Sequence, residues 1–448
     1  MTDFASRTVA APVEINYRCA AAWIDGEIRR DVDIFCAGGK ITAIEPSGGA
    51  AVGPVERLPG LVVPGFADAH CHVFHRALRG RTHDGAGTFW TWRELMYELA
   101  GRLDPDTLRD LAFAAYLELL CAGYTAVGEF HYLHHPPGGG RYAEPNIMGL
   151  ALADAAGATG ISLTLLDIAY LAGGFGVPVS SVQQRFSDGS AAAWAERVAA
   201  LPASLRVGVG IHSVRAVPVA QMPTVVAAAN GRVLHVHLSE QPAENADCWA
   251  ATGRTPTRLL DDAGAIGPLT AAVHGTHLTD EDIGILGRAG ASVVICPTTE
   301  ADLADGLPAA GALAAAGARL SLGGDQQVVV DPFAQARGLE YGERLAGGRR
   351  GVFAPTSLWS AALEHSHAAI AAPGGRLAVG APADLVAVRT DSARTAGAAP
   401  EQLVMCATAQ DVDVVVTGGW VQARSGNHVR YGDPGPLLAA AIDRAWGR

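Results

Sequence analysis

The chain has 448 residues, of which 49% are hydrophobic, and its formal net charge is −12 at pH 7. This length and apolar content are sufficient for one large folded domain and a smaller one, and they exclude a disordered chain. The acidic balance excludes binding to nucleic acid through an overall basic surface.

Seven cysteines are scattered along the chain without a CxxC pair. Isolated thiols in odd number are typical of a reduced cytosolic protein and not of a disulfide framework. The first residues, MTDFASRTVAAPVEINY, show no basic segment followed by an apolar run, so no signal peptide is expected. Apolar runs such as residues 112–120 are too short to span a bilayer. We therefore expect a cytoplasmic protein without a membrane partner.

Both ends of the chain are rich in short β-type runs separated by turns such as Asp25-Gly26 and Gly418-Gly419. We expect these two ends to pair, and the sequence predicts a small β-sandwich domain formed from residues 1–60 and 376–448. The expected strands are 20–24, 32–36, 41–44, 383–388 and 412–417.

Between the two ends, short β-rich runs alternate with Ala- and Leu-rich helical stretches. Eight such runs separated by helices are typical of a (β/α)8 barrel. The predicted fold is therefore of the α/β class, a TIM-like barrel of residues 61–375 with the small terminal domain beside it. The expected barrel strands are 61–63, 125–130, 162–168, 206–211, 233–238, 271–273, 292–295 and 319–322.

The segment PGFADAHCHVFHRA, residues 64–77, contains two histidines in a favourable place for a metal. His70 and His72 are two positions apart at the end of a β-run, so a strand directs both side chains to the same face. Two imidazoles at the carboxyl end of a barrel strand can hold one cation. Asp68, two residues earlier, can orient these ligands. The alternative interpretation is a pair of half-buried polar residues in a loop.

A second pair of histidines lies in VLHVHLSEQ, residues 233–241. His235 and His237 again share one face of a strand, and one of them can complete the metal shell. Glu240 follows at the predicted mouth of the barrel, where a carboxylate can shuttle protons for a metal-activated water.

Two later β-runs also end in residues with suitable chemistry. In AVHGTHLTDEDI, His274 ends a run, and a neutral imidazole there can hydrogen-bond the attacking water, whereas His277 is compatible with a capped surface loop. In LSLGGDQQ, Asp325 follows a run and two glycines, which permit close backbone approach. Its carboxylate can bind the metal and accept a proton from water.

The β-runs end, in chain order, in His-x-His, in a histidine with a glutamate three residues later, in a histidine and in an aspartate. This order resembles the pattern of the amidohydrolase superfamily. Some members of that superfamily bridge two metals through a carboxylated lysine in the barrel, and this chain has no lysine after Lys40. The resemblance therefore implies a single divalent metal, usually zinc, held by His70, His72, His237 and Asp325. A second metal through Glu129 or a cysteine is not expected.

Other polar residues at strand ends indicate the substrate. His212 and Arg215 are three positions apart after one run, where an imidazole and a guanidinium can clamp a carboxylate; the alternative for Arg215 is a surface ion pair. In FWTWRELMY, Trp90, Trp92 and Arg93 precede an amphipathic helix and can form either a lid over the site or a packed loop corner.

Five segments together resemble the formimidoylglutamate deiminase family, which hydrolyses the formimino group of N-formimidoyl-L-glutamate to N-formyl-L-glutamate and ammonia in histidine degradation. The resemblance extends from about residue 61 to residue 345, most of the barrel, and the segments are FWTWRELMY, GYTAVGEFHYLHH, HSVRAVP, HVHLSEQPAEN and CPTTEADLADG. The implied catalytic residues are Glu240, His274 and Asp325. The residues implied to bind the dicarboxylic substrate are His75, Arg93, Tyr132, His212 and Arg215.

This chain departs from the family pattern in two places. His75 stands where glutamine is expected, and Gln326 and Gln327 follow Asp325 where serine is more usual, so they are expected to reshape one wall. The rival hypotheses are a superfamily deaminase or chlorohydrolase acting on a heterocycle, and a barrel that binds a ligand without turnover. A homodimer is expected because it is common in the superfamily.

Overall fold

The computed structural model describes residues 15–48, 53–83 and 87–447. Residues 1–14, which carry most of the segment judged to lack a signal peptide, lie outside the described residues. The strands of the described residues are β1 (Asn16–Ile24), β2 (Glu27–Ala37), β3 (Lys40–Pro46), β4 (Val55–Pro64), β5 (Phe66–Cys71), β6 (Tyr124–His131), β7 (Ser162–Ala169), β8 (Val207–Ile211), β9 (Leu234–Leu238), β10 (Thr270–His274), β11 (Ser292–Ile295), β12 (Arg319–Leu322), β13 (Leu385–Val388), β14 (Val412–Thr417), β15 (Trp420–Arg424) and β16 (Asn427–His428).

One sheet joins the two ends of the chain in the order β16-β15-β14-β13-β4-β1-β2-β3, which confirms that the ends pair. The sheet curls on itself, because Lys40 at its β3 edge forms a backbone bridge with Pro382, just before β13. The Tyr17 hydroxyl likewise donates to the Gly419 carbonyl at 2.9 Å. The inner faces of these strands enclose a hydrophobic core of their own, which is the core expected of a sandwich.

The other sheet is a barrel of parallel strands in the order β5 to β12, as the sequence predicts. It closes between its first and last strands, where the Asp325 amide donates to the His70 carbonyl at 2.8 Å and the His72 amide donates to the Asp325 carbonyl at 3.0 Å. The prediction that residues 61–63 form the first barrel strand is wrong. They belong to β4 in the terminal sheet, and the first barrel strand is Phe66–Cys71. The division of the chain into domains at residues 60 and 376 stays a prediction.

The barrel strands are separated by helices that cover their outer faces. None of the helices in the described parts of the chain is long and apolar enough to cross a membrane. The α-helices are α1 (Phe89–Arg102), α2 (Pro105–Cys121), α3 (Ile147–Thr159), α4 (Ala191–Ala199), α5 (Met222–Ala229), α6 (Pro242–Thr252), α7 (Pro256–Asp262), α8 (Asp280–Arg288), α9 (Pro297–Asp302), α10 (Ala310–Ala316), α11 (Pro332–Gly347), α12 (Pro355–Ser360), α13 (Ser366–Ala369) and α14 (Pro434–Ala445).

Local sequence fixes where several helices begin. Asp104 precedes α2, accepts the amide of Thr107, and is followed by a proline that needs no hydrogen-bond partner at the first turn. Strands β5, β6, β9 and β10 are buried along their whole length. Since parallel barrel strands all end at one face, polar residues at their carboxyl ends converge at one mouth.

Candidate active site

Three imidazoles meet at the carboxyl face of the barrel. The Nε2 atom of His237 lies 3.1 Å from Nε2 of His70 and 3.3 Å from Nε2 of His72. His72 Nδ1 lies 3.2 Å from the Phe130 carbonyl, to which it can donate, and this contact directs the Nε2 lone pair of His72 toward the other two rings. Burial lowers the pKa of all three imidazoles, so they are neutral and able to bind a metal.

Asp325 completes this cluster from the loop after β12. Its Oδ1 atom is 3.4 Å from Nε2 of both His70 and His72. Burial alone would raise its pKa, but His70 and His274 lower it, and the carboxylate is ionised. Gly323 permits this approach of the loop to the first strand, since a Cβ atom there would lie 2.9 Å from the Cβ of His70.

The cluster fits one divalent cation. A tetrahedral zinc ion with ligands at about 2.0–2.1 Å holds neighbouring ligand atoms about 3.3–3.4 Å apart, which is close to the observed spacing. Three neutral nitrogen lone pairs and a carboxylate oxygen repel one another unless a positive charge lies between them. The donor set also suits zinc.

Asp68 supports the Asp325 loop from beneath, as its position in the first motif indicates. Its carboxylate accepts the Gly324 amide at 2.8 Å and the Gln327 side chain at 2.7 Å. Burial raises its pKa to about 7. Gln327 therefore fixes the loop and lies outside the cavity lining, as does Gln326, which donates to Asp302 at 2.8 Å. The expectation that these two glutamines reshape a wall has no support in their positions.

His274 and Glu240 lie beside the metal cluster. The Nε2 atom of His274 is 3.7 Å from Oε1 of Glu240 and 4.0 Å from Oδ2 of Asp325. On the other side of the ring, Nδ1 is 3.3 Å from Oε1 of Glu300. Burial raises the pKa of Glu240 to about 7, a value at which a carboxyl group can both donate and accept a proton near neutral pH.

The surroundings of His274 favour a protonated ring, whereas the sequence predicts a neutral imidazole. Burial would lower its pKa, but the carboxylates of Glu240, Glu300 and Asp325 outweigh burial and raise it to about 10. A divalent cation held by Asp325 would add positive charge beside the ring and oppose this effect.

All five residues predicted to bind substrate line the same cavity as Glu240, His274 and Asp325. Burial lowers the pKa of His212, and so do the nearby positive charges of Arg215 and Arg93, which shows that these groups converge. Arg215 donates from Nε to Glu244 at 2.9 Å. The alternative of an ion pair is thus half correct, since the pair exists but lies in the cavity wall with Glu244 fully buried.

The start of α1 covers this cavity. Trp92 and Arg93 line it, and the Trp92 ring stacks edge-on against His75 with centroids 5.1 Å apart. The Arg93 guanidinium lies over the rings of Trp90 and Tyr97, at 4.4 Å and 5.6 Å from their centroids. Of the two interpretations of this segment, the position of α1 favours a cover over the site.

Several other histidines of the quoted sequence segments lie outside the metal cluster. His235 is on the same strand as His237 but deeper in the barrel, where its Nε2 lies 2.8 Å from the Ala369 carbonyl. His277 Nε2 contacts the Asp305 carbonyl at 2.8 Å. His131 and His134 lie beside Asp167 behind the barrel wall, but that carboxylate is already bound by Arg197.

The cavity contains residues without a sequence signal. Tyr97 and Tyr170 line it, and both hydroxyls accept from the Gln183 side chain, at 3.1 Å and 2.8 Å. Glu244 and Glu300 lie behind the cavity lining, where Glu244 contacts Arg215 and Glu300 contacts His274. The i to i+3 spacing of His237 and Glu240 is visible in the sequence, whereas these contacts join segments far apart in the chain.

The chain matches the amidohydrolase family over residues 61–422, and it belongs to that family. All the metal-cluster and acid–base residues described above fall within this match.

Among individual relatives, the chain is similar to formimidoylglutamate deiminase of Pseudomonas aeruginosa, with 38% identity over 414 residues, 88% of this chain and 90% of that protein. An 8-oxoguanine deaminase of the same species is 28% identical over 375 residues, 80% and 82% of the two chains. The crystal structure of an amidohydrolase from Brucella melitensis, 30% identical, superposes with a TM-score of 0.87 and covers 97% of this chain and 100% of that one.

Proposed function

We propose that this protein is a formimidoylglutamate deiminase, which hydrolyses N-formimidoyl-L-glutamate to N-formyl-L-glutamate and ammonia as a step in histidine degradation. The observation that carries the proposal is one cavity that combines a cation-binding cluster with two guanidinium groups. The 38% identity to the Pseudomonas deiminase supports it. The reaction replaces a C=NH group by C=O, with water supplying the oxygen and the nitrogen leaving as ammonia.

His70, His72, His237 and Asp325 would hold one divalent cation, which we propose to be Zn²⁺. When bound, such a cation supplies a nucleophile from water near neutral pH. The absence of lysine after Lys40 excludes a carboxylated-lysine bridge between two metals.

Glu240, His274 and Asp325 would move the protons. Asp325 and His274 hold the attacking water and take up its proton, since both face the same point at the barrel mouth. His274 does so as the neutral ring that a cation held by Asp325 would favour. Glu240 delivers a proton to the nitrogen that leaves, because its carboxyl lies within 3.7 Å of His274 and exchanges protons near neutral pH.

The two guanidinium groups would bind the substrate carboxylates. Arg215 is oriented by Glu244, which accepts a hydrogen bond from the Arg215 Nε. The terminal nitrogens of Arg215 are left for another acceptor. His212 lies beside it, and Arg93 reaches the cavity from α1. Tyr132 lies 3.2 Å from His75, so this pair would present a hydroxyl and an imidazole to the formimino end in place of the glutamine expected at position 75.

The test is release of ammonia by metal-loaded protein from N-formimidoyl-L-glutamate, N-formimidoyl-L-aspartate and 8-oxoguanine, with metal analysis of the same sample. We expect the glutamate derivative to be preferred and metal content near one per chain. The aspartate derivative is one methylene shorter, so its discrimination is expected at about 1–3 kcal/mol. Turnover of 8-oxoguanine alone would refute the proposal and favour a ring deaminase. No turnover of any of the three would favour a ligand-binding barrel.

The ring-deaminase alternative has one observation in its favour, the 28% identity to 8-oxoguanine deaminase. A neutral heterocycle offers no anionic group to the guanidinium groups of Arg93 and Arg215, whereas a dicarboxylic substrate offers one to each. A homodimer and a cytoplasmic location remain part of the proposal; the mass of the protein in solution tests the first.

A further inference from the structure

Glu300 lies directly behind His274, outside the cavity lining. It is on α9, and only 3% of it is exposed. Its Oε1 atom accepts the Cys296 amide at 2.8 Å and lies 3.3 Å from His274 Nδ1. In return, the Cys296 carbonyl accepts the Glu300 amide at 2.9 Å. The carboxylate is thus fixed at the start of the helix before it contacts the imidazole.

When the His274 ring is neutral, this contact decides which of its nitrogens carries the proton. A carboxylate only accepts hydrogen bonds, so Nδ1 must be the donor, and in a neutral ring Nε2 then has a free lone pair. Nε2 faces Glu240 and Asp325, at 3.7 Å and 4.0 Å. The backbone of His274 is in the left-handed region, with φ of 69°, which is uncommon for a residue other than glycine.

We propose that Glu300 is a positioning residue for deimination, which holds His274 with Nε2 toward the reacting atoms. Glu300 itself does not reach the cavity, and it acts through the imidazole. The inference rests on the proposed function, since it assigns Glu300 a part in the same reaction.

The experiment is a double-mutant cycle in the full-length, zinc-loaded protein, with ammonia release from N-formimidoyl-L-glutamate as the assay. We expect E300A to lower kcat by about 10- to 100-fold, the usual cost of losing such an orienting partner, with KM changed by less than about threefold. In the H274N background, E300A should lower kcat by less than about twofold, because no imidazole remains to be positioned. The same loss in both backgrounds would overturn the positioning role.

E300Q separates orientation from damage to α9. Its side-chain oxygen can still accept from Cys296 and His274, so we expect less than about a tenfold loss in kcat. A loss as large as that of E300A would overturn the inference. Glu340 is the matched control, a buried glutamate that accepts the Gly351 and Phe353 amides at 2.7 Å and 2.8 Å, outside the cavity lining. E340A should change kcat by the same factor in the wild-type and H274N backgrounds.

Different results would contradict the proposed function and the positioning role of Glu300. Wild-type protein that releases no ammonia from the formimino substrate overturns the proposed function and this inference with it. An active wild type in which the effects of E300A and H274N multiply overturns the positioning role alone.

Discussion

Replacing Arg215 by methionine removes the guanidinium while keeping a long apolar side chain in the cavity wall. Arg215 gives its Nε to Glu244 at 2.9 Å, so its terminal nitrogens are the groups left to bind a substrate carboxylate. A hydrogen bond to a charged group contributes roughly 1.5–3 kcal/mol, and one or two are lost. With 17% of the Arg215 side chain exposed and water able to compensate in part, we take about 2–4 kcal/mol.

That free energy corresponds to a fall in kcat/KM of about 30- to 1000-fold, expressed mainly in KM. The same change should lower the free energy of unfolding by about 1–3 kcal/mol, because Glu244 keeps the Ser239 amide but loses a charged partner in a buried place. Steady-state ammonia release measures the first effect and urea unfolding the second. Metal content should stay near that of the wild type.

Arg206 provides the control, since it precedes the other end of β8 and donates to Ser162 and the Leu163 carbonyl away from the cavity. R206M should leave KM unchanged within about twofold. An R215M variant with wild-type KM for the formimino substrate would refute the assignment of Arg215 to carboxylate binding, whatever its stability.

Three further changes probe the cluster, the acid and the scaffold. Removing the metal with a chelator should abolish ammonia release and adding zinc should restore it; a metal-free protein with wild-type activity would contradict the cluster. E240Q should lower kcat by about 10²- to 10⁴-fold at unchanged metal content, and near-normal kcat would exclude it as the acid. R197M should lower the free energy of unfolding at pH 7 by about 3–5 kcal/mol, because Asp167 and Asp188 lose a buried partner. Folding lowers the pKa of both carboxyls despite burial, so their stabilising effect is present above about pH 4 and is lost progressively below it. The loss of unfolding free energy in R197M should therefore become smaller toward about pH 3 in urea titrations. A loss that does not change with pH would refute this account.

The sequence predicts the barrel and the convergence of the site because one rule links them. Parallel strands end at one face, so residues that each close a β-run must meet there, however far apart they are in the chain. His70, His237 and Asp325 are 255 positions apart at the extremes (325 − 70), yet their ligand atoms lie within 3.4 Å of a neighbour. Nothing beyond strand order is needed for that prediction.

The error at residues 61–63 has the opposite cause. A short buried apolar run fits a strand of either sheet, and its periodicity carries no information on its hydrogen-bond partner. Those partners are β1 and β13 of the terminal sheet. The next strand begins two residues after β4 ends, and this tight succession hides the change of sheet from a pattern-based analysis.

Glu244 and Glu300 are invisible for a related reason. Each lies in a helix just after a strand end, where an acidic residue at the first turn is normally explained by the helix dipole. Only the fold shows that their carboxylates turn back, Glu244 to Arg215 and Glu300 to His274. The metal-cluster and acid–base residues could thus be predicted from their own strand ends, whereas the carboxylates that orient Arg215 and His274 could not.

The guanidinium groups of Arg215 and Arg93 have different surroundings, which indicates different roles in substrate binding. Arg215 is paired with a buried carboxylate, so part of its charge is already balanced, and its orientation is fixed before substrate binds. Arg93 rests on the faces of Trp90 and Tyr97, contacts that leave its hydrogen-bond donors free. Arg93 also belongs to α1, the helix that covers the cavity, while Arg215 follows a barrel strand. A dicarboxylic substrate that engages both would therefore join the cover to the barrel.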